Sequence, residues 1–251
     1  MKRALITGAT SGIGEGLTRA LAERGYDLYL TGRNEEKLKA LRSELPSKVE
    51  ILPCALEENY QPLLKWMEDF SPGLIINNAG YGLYGDMINH ELKDQTGIVR
   101  VNCEALLAIT LKGAKLMRSK NKQGTILNVS SAGGYQPFPG FAAYVASKAF
   151  VTNLSTSLHE EMADYGIKVL VSCPGRISTN FAKRASKQPH EKKAPGYIMT
   201  LDYAVNRMIR QIETGNPVDI FDWHYQFLVH LSRWIPDRWI CKLLRKKANL
   251  N

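Results

Sequence analysis

Short apolar segments alternate along the chain with longer amphipathic ones, a pattern that predicts repeated βα units on a parallel sheet. Strands are predicted at Ala4 to Thr7, Asp27 to Thr31, Val49 to Pro53, Leu74 to Asn77, Thr125 to Ser130, Lys168 to Ser172 and Val218 to Phe221. Several are apolar throughout, as expected when helices cover both faces of the sheet. Between them, helices are predicted at Gly14 to Arg24, Asn34 to Leu45, Asn59 to Asp69, Gly97 to Arg118, Phe141 to Asp164 and Leu201 to Thr214. Asn34 reads as an N-cap, followed by Glu35 and Glu36 in the first turn, where the helix dipole favours acids. The expected fold class is α/β: a single doubly wound domain with a parallel sheet of about seven strands.

Two segments depart from this regularity. Phe181 to Met199 is long, polar and basic, carrying Lys183, Arg184, Lys187, Lys192 and Lys193, and reads as an irregular lid or binding loop. After Trp223 the chain holds three of its four tryptophans, Trp223, Trp234 and Trp239, among apolar residues at helical spacing on both sides of Pro236. The expected organisation is a catalytic domain over residues 1–222, with the lid at about 181–199, and an aromatic, basic helical extension over 223–251.

Composition narrows the class of protein. The 251 residues are 44% hydrophobic and 23% charged, which is ordinary for a globular protein and long enough for one sizeable core. Cys54, Cys103, Cys173 and Cys241 lack CxxC spacing, so they read as reduced thiols with no metal site, and the expected location is cytoplasmic. The first strand begins too early to leave room for a signal peptide, and no apolar run is long enough to span a bilayer. The net charge of +9 is uneven: Arg233 to Asn251 holds six basic residues against Asp237. No nucleic-acid motif accompanies that charge, which leaves an anionic cofactor or lipid surface as its partner.

Candidate chemistry starts at the first turn. The first strand runs directly into Thr7-Gly8-Ala9-Thr10-Ser11-Gly12-Ile13-Gly14, which opens a helix. Glycines there let the backbone approach a pyrophosphate, and the helix N-terminus presents free N–H groups to it. A tight βα turn that needs glycine for its backbone angles is the plainer alternative. The second strand ends Thr31-Gly32-Arg33-Asn34, with no acid to hold a ribose 2′-hydroxyl and with an arginine whose fork suits a 2′-phosphate. This points to NADP(H), unless Arg33 merely caps a surface turn.

A second candidate lies in Gly140 to Lys148, where Tyr144 and Lys148 stand four residues apart. On a helix they share a face, and an ammonium beside the phenol favours the phenolate. Bringing a tyrosine pKa from about 10 to near neutrality takes about 4 kcal/mol, which one ammonium and one cofactor charge can supply between them. The expected product is a proton donor and acceptor usable near pH 7.

Taken together, Thr7-Gly8-x-x-x-Gly12-Ile13-Gly14, Asn77-Asn78-Ala79-Gly80, Asn128-Val129-Ser130-Ser131 and Tyr144-x-x-x-Lys148 resemble, in this order, the short-chain dehydrogenase/reductase family over about residues 3 to 215. The resemblance implies a single Rossmann-like domain that moves a hydride between a nicotinamide dinucleotide and a carbonyl or alcohol. It implies that Tyr144 is the acid/base and that Lys148 lowers its pKa and holds the nicotinamide ribose. It further implies that Ser131 bonds the substrate oxygen and that Asn102 supports a water-linked proton relay. Gly8, Thr10, Ser11, Gly12, Ile13, Gly14, Asn78, Ala79 and Gly80 are implied to bind the cofactor. Pro174, Gly175, Ile177 and Thr179 are implied to pack on its nicotinamide end. A small-molecule carbonyl or alcohol partner and a homo-oligomer, dimer or tetramer, are implied as well.

One position departs from the family pattern. An acidic residue commonly follows the third strand to bond the adenine, and here Cys54-Ala55-Leu56 offers Ala55, with Glu57 or Glu58 as substitutes. Several readings stay open. The basic loop attracts an anionic substrate group, such as the phosphates of an acyl thioester carrier, or is simply solvated. The tail docks on the protein's own core or a second subunit, lies on a membrane surface, or is partly disordered. A non-catalytic dinucleotide-binding protein on the same fold is the rival to an enzyme.

Overall fold

The computed structural model describes residues 2–179, 181–186, 197–232 and 234–248. Seven strands form one sheet: β1 (Arg3–Thr7), β2 (Asp27–Gly32), β3 (Val49–Pro53), β4 (Leu74–Asn77), β5 (Gly124–Val129), β6 (Ile167–Cys173) and β7 (Val218–Ile220). They run in the order β3-β2-β1-β4-β5-β6-β7, and every neighbouring pair is parallel. All seven match the predicted strands to within a residue at either end, because runs buried on both faces are distinctive in sequence.

The alternation of side chains along each strand divides the core in two. On one face Ala4, Ile6, Leu28 and Leu30 pack against α1 (Gly12–Glu23), α2 (Glu35–Glu44) and α8 (Leu201–Thr214). On the other, Leu5, Tyr29, Ile75 and Ile126 pack against α3 (Gln61–Phe70) and α5 (Leu106–Ser119). Each fully buried Leu or Ile stabilises the fold by about 1.5–3 kcal/mol. Tyr29 and Phe70 stack with ring centroids 3.6 Å apart, and Trp66 meets both edge-on. Asn34 caps α2, its side chain accepting from the Lys37 N–H.

Two segments differ from expectation, and the tail follows it. The helix predicted from Gly97 begins earlier, as α4 (Leu92–Val99), and runs into α5 through a π-helical turn at Arg100–Ala105. Residues Phe181–Ser186 form a short helix, α7, where an irregular loop is expected. Lys187, Lys192 and Lys193 of that loop lie outside the described residues. The tail forms two helices, α9 (Trp223–Ser232) and α10 (Asp237–Ala248), interrupted at Pro236 as proline geometry requires. The remaining helix, α6 (Ala142–Met162), carries Tyr144 and Lys148 in its first two turns.

The strand order reverses direction at β1, between β2 and β4. In open parallel sheets a crevice forms outside the carboxyl ends of the strands at that switch point.

Candidate active site

The turn after β1 lies in this crevice. Gly8 and Gly12 have φ of 65° and 54°, which L side chains rarely adopt. A Cβ on Gly14 would stand 2.2 Å from the Gly8 carbonyl oxygen and 2.5 Å from Asn78 Nδ2, so no side chain fits there. Asn78 donates from Nδ2 to the carbonyls of Thr7 and Gly8, while Thr7 Oγ1 accepts from the N–H groups of Asn78 and Ala79. The end of β4 thereby locks the turn. Ser11 occupies the N-cap of α1 without capping it by its side chain, so the first-turn N–H groups of Gly12, Ile13 and Gly14 face outward at the positive end of the helix. Thr10 packs on Gly32 at the end of β2, and Thr179 approaches Gly12 from the β6 side. These close glycine contacts and the uncapped N-terminus fit the pyrophosphate of a dinucleotide.

Beyond this turn, Arg33 is largely exposed and donates to Glu57 Oε1 at 2.9 Å. Glu57 comes from the segment after β3, where Ala55 stands in place of an acid. The carboxylate absent from the end of β2 thus reaches the same region from a neighbouring loop.

At the other end of the crevice the structure brings Ser131, Tyr144 and Lys148 together. Ser131 caps the short turn Ala132–Tyr135, accepting from the Gly133 N–H, and its hydroxyl donates to the Pro174 carbonyl at 3.4 Å. The preceding Ser130 is buried and bonded to the Lys148 carbonyl and to Thr152, which makes it a structural residue. Lys148 Nζ donates to the Val129 carbonyl at 2.8 Å and lies 5.6 Å from the centre of the Tyr144 ring.

The expected lowering draws on a cofactor charge as well as on Lys148, and burial in the chain by itself acts against it. Burial pushes the Tyr144 phenol up to about 12, while the neighbouring Ser131 hydroxyl acts in the opposite direction. Burial also lowers Lys148 to about 8, opposed by the Cys103 and Cys173 thiols. In the chain by itself, desolvation outweighs the Ser131 hydrogen bond, so Tyr144 is a neutral phenol.

Asn102 is fully buried in the π-helical turn, a distortion that recurs at functional sites. Its Nδ2 donates to the Tyr81 carbonyl and Ser147 Oγ, and its Oδ1 accepts from the Tyr81 N–H. The side chain therefore ties the loop after β4 to α6, and it makes no bond to Lys148 Nζ. Gly80 separates the two: a Cβ there would be 3.0 Å from Asn102 Oδ1 and 3.4 Å from Lys148 Nζ.

Pro174 accepts from the Ala132 N–H, and Gly175 lies so close to the Tyr225 ring that a Cβ would be 2.1 Å from it. Ile177 pairs with Met199, which draws the segment after β6 across the site. Sequence reasoning missed an aromatic wall here. Phe141 stacks on Tyr144 at 4.4 Å, Phe181 of α7 lies 5.4 Å from Tyr144, and Tyr84 and Phe138 complete the cluster around Phe141. The Tyr84 N–H donates to the Ala185 carbonyl, which fastens α7 beside that wall. Phe138, Phe141 and Tyr144 stand three residues apart in sequence, the signal that could have found part of the wall, whereas Tyr84 and Phe181 are brought to it only by the fold.

The fold and the site define a nicotinamide-dinucleotide oxidoreductase of the Rossmann type. Residues 2–190 match the short chain dehydrogenase family, and the chain belongs to that family. It is 31% identical over 182 residues to an uncharacterized oxidoreductase of Staphylococcus epidermidis, covering 71% of this chain and 79% of that one. It is 32% identical over 248 residues to a very-long-chain 3-oxoacyl-CoA reductase-like protein of Arabidopsis thaliana, covering 93% and 77%. Among solved structures, a short-chain dehydrogenase from Sphingobium yanoikuyae in complex with NADPH superposes with a TM-score of 0.79 at 29% identity, covering 89% of each chain. A bulky-bulky ketone specific alcohol dehydrogenase from Comamonas testosteroni gives 0.76 at 26% identity, covering 93% and 92%.

Proposed function

We propose that this oxidoreductase is an NADP(H)-dependent carbonyl reductase or alcohol dehydrogenase acting on a ketone, aldehyde or 3-oxoacyl thioester. The observation that carries the reading is the convergence of Ser131, Tyr144 and Lys148 at the open end of the sheet, beside a turn shaped for pyrophosphate. When bound, the nicotinamide dinucleotide supplies or accepts the hydride. Hydride arriving at a carbonyl carbon builds charge on its oxygen, and the Ser131 and Tyr144 hydroxyls are the donors that favour that charge. Tyr144, held neutral by burial, is already in the acid form that reduction needs. Lys148 holds the ribose and, with Asn102 bracing the loop at Tyr81, keeps α6 in register with that loop. Gly8, Thr10, Ser11, Gly12, Ile13, Gly14, Asn78, Ala79 and Gly80 hold the pyrophosphate half, and Pro174, Gly175, Ile177 and Thr179 line the nicotinamide half.

Preference for NADP(H) rests on Arg33 and on the lack of an acid at the end of β2. Glu57 competes for the Arg33 guanidinium, so the preference is tempered rather than absolute. The aromatic wall of Tyr84, Phe138, Phe141 and Phe181 supports a substrate with an apolar group next to its carbonyl. Residues 1–222 form the catalytic unit and 223–251 an attached arm. The four free thiols fit the reducing cytoplasm. Exposed Val99, Leu111 and Phe150 on α4, α5 and α6 suit a homo-oligomeric contact.

A panel of ketones, aldehydes and acyl thioesters assayed with NADPH tests the reading. Tyr144→Phe is expected to lower kcat by roughly 10²–10⁴-fold while leaving NADPH affinity within a few-fold. NADPH binding without turnover of any substrate, unchanged in Tyr144→Phe, would instead favour the non-catalytic rival.

A further inference from the structure

The arm after β7 presents apolar surface that the fold leaves uncovered among the described residues. Trp223, Trp234 and Trp239 are 67%, 87% and 68% exposed, although tryptophan is highly buried on average. On α9, Trp223, Phe227 and Leu231 recur at four-residue spacing and make one exposed apolar stripe. Val229, on the opposite side, is buried. On α10, Trp239 and Leu243 repeat the same spacing on the outside while Ile240 packs inward.

Basic residues flank that second stripe. Arg238, Lys242 and Arg245 follow a spacing of four and three, so they share a face of α10 next to the one that bears Trp239 and Leu243. All three are exposed. From Arg233 to Asn251 the sequence carries six basic residues against one acid. Tryptophan on one face and Lys/Arg on the next is the arrangement of a helix lying in the plane of an anionic lipid surface. No described helix is long and apolar enough to cross a membrane, so the contact would be peripheral.

Charge decides between a bilayer and a second copy of the chain. A two-fold contact sets the same patch against itself. Here that would press one strongly basic surface against an identical one, and lysine is depleted at such interfaces. An anionic bilayer meets the same charge with its opposite. We infer that α9 and α10 dock this protein onto anionic lipid surfaces, with Trp223, Trp234, Trp239 and Leu243 entering the interfacial layer and Arg238, Lys242 and Arg245 pairing with headgroup phosphates.

The arm is also joined to the site. Tyr225 of α9 accepts from the Arg176 N–H at 3.1 Å and donates to the Tyr197 carbonyl at 2.9 Å, and its ring covers Gly175. One helix therefore carries a wall of the crevice on one face and the lipid-facing stripe on another. Docking through it brings the substrate side of the enzyme near the bilayer, where carbonyl compounds with long apolar groups partition.

The test is co-sedimentation of the full-length protein with vesicles of phosphatidylcholine alone or mixed with phosphatidylglycerol, read alongside tryptophan emission. Binding is expected only to the phosphatidylglycerol vesicles, with a blue shift of emission. Joint Arg238→Gln, Lys242→Gln and Arg245→Gln substitution should weaken partitioning on the order of a hundredfold, since each cation near the surface counts for about fivefold. Trp234→Ala with Trp239→Ala should remove most of the blue shift, and both variants should keep wild-type NADPH turnover of a water-soluble ketone, or wild-type NADPH affinity if no ketone is turned over. No binding to phosphatidylglycerol vesicles overturns the inference, as does binding that both variants retain. A lipid-free dimer that dissociates in the tryptophan variant would assign the surface to a second copy and overturn it equally.

Discussion

Replacing Lys148 by methionine should abolish activity and make the protein more stable at neutral pH. Lys148 is 4% exposed, and burial lowers its pKa from 10.5 to about 8. That drop corresponds to about 3 kcal/mol of free energy spent on keeping a buried ammonium charged. The sign follows from proton counting. Below pH 8 folded and unfolded chains both hold the proton, so the full cost is present. Between pH 8 and 10.5 the unfolded lysine holds a proton that the folded one has lost, so wild-type stability rises with pH and the cost fades. Methionine keeps the length of the side chain without the charge. It also removes the bond from Nζ to the Val129 carbonyl, which costs about 1–3 kcal/mol if that oxygen is left without a donor. The net expectation at pH 7 is a gain of roughly 1–2 kcal/mol. Urea unfolding of both proteins without cofactor at several pH values gives the difference directly. It should shrink by about 1.4 kcal/mol for each pH unit above 8, whatever the Val129 carbonyl contributes. A difference that stays constant through this range would refute the reasoning, because it would mean that the fold does not lower the Lys148 pKa.

Two further outcomes follow from the same geometry. Glu57→Gln should tighten NADPH binding about fivefold in fluorescence titration and leave NADH binding nearly unchanged, because the pair with Arg33 is exposed and worth about 1 kcal/mol. Equal tightening for both dinucleotides would remove Glu57 from the choice between them. Since burial raises the Tyr144 phenol to about 12, steady-state reduction should be flat from about pH 6 to 8, whereas alcohol oxidation, which needs the phenolate, should rise throughout that range. Reduction that falls tenfold per pH unit above neutrality would show that the acid is another group.

The strands were legible because residues covered on both faces leave unbroken apolar runs such as Ala4-Leu5-Ile6. The glycine turn after β1 was legible because only glycine satisfies the contacts at Gly14 and the positive φ at Gly8 and Gly12. What escaped depends on pairing in space. The π-helical turn at Asn102 uses residues that an ordinary helix accepts, and the partners of its side chain, Tyr81 and Ser147, lie far from it in sequence. The start of α4 is polar at Lys93, Asp94 and Gln95, so no apolar periodicity announces it. Glu57 lies 24 residues from Arg33 and is brought beside it by the β2–β3 register. The aromatic wall joins the Phe138 and Phe141 stretch to Tyr84 and to Phe181, which lie far from it in sequence.

The sign of the Tyr144 shift is the most instructive of these differences. Tyr-x-x-x-Lys spacing identifies which two groups meet, but it contains no information on how much water is removed when they do. Here the helix start, the Ser131 turn and the loop after β4 close around the pair, and desolvation then favours the uncharged form of each. The same enclosure that lowers the stability of the folded chain keeps a proton on the phenol and, in the proposed reaction, would make the hydroxyls of Tyr144 and Ser131 effective donors to a developing oxyanion, because hydrogen bonds strengthen where water is excluded. Stability and chemistry thus pull on one variable, the burial of two titratable groups. In the proposed reaction, a substitution that relieves the burial cost at Lys148 would forfeit the cation assigned to anchor the ribose and to balance a phenolate when the reaction runs toward oxidation.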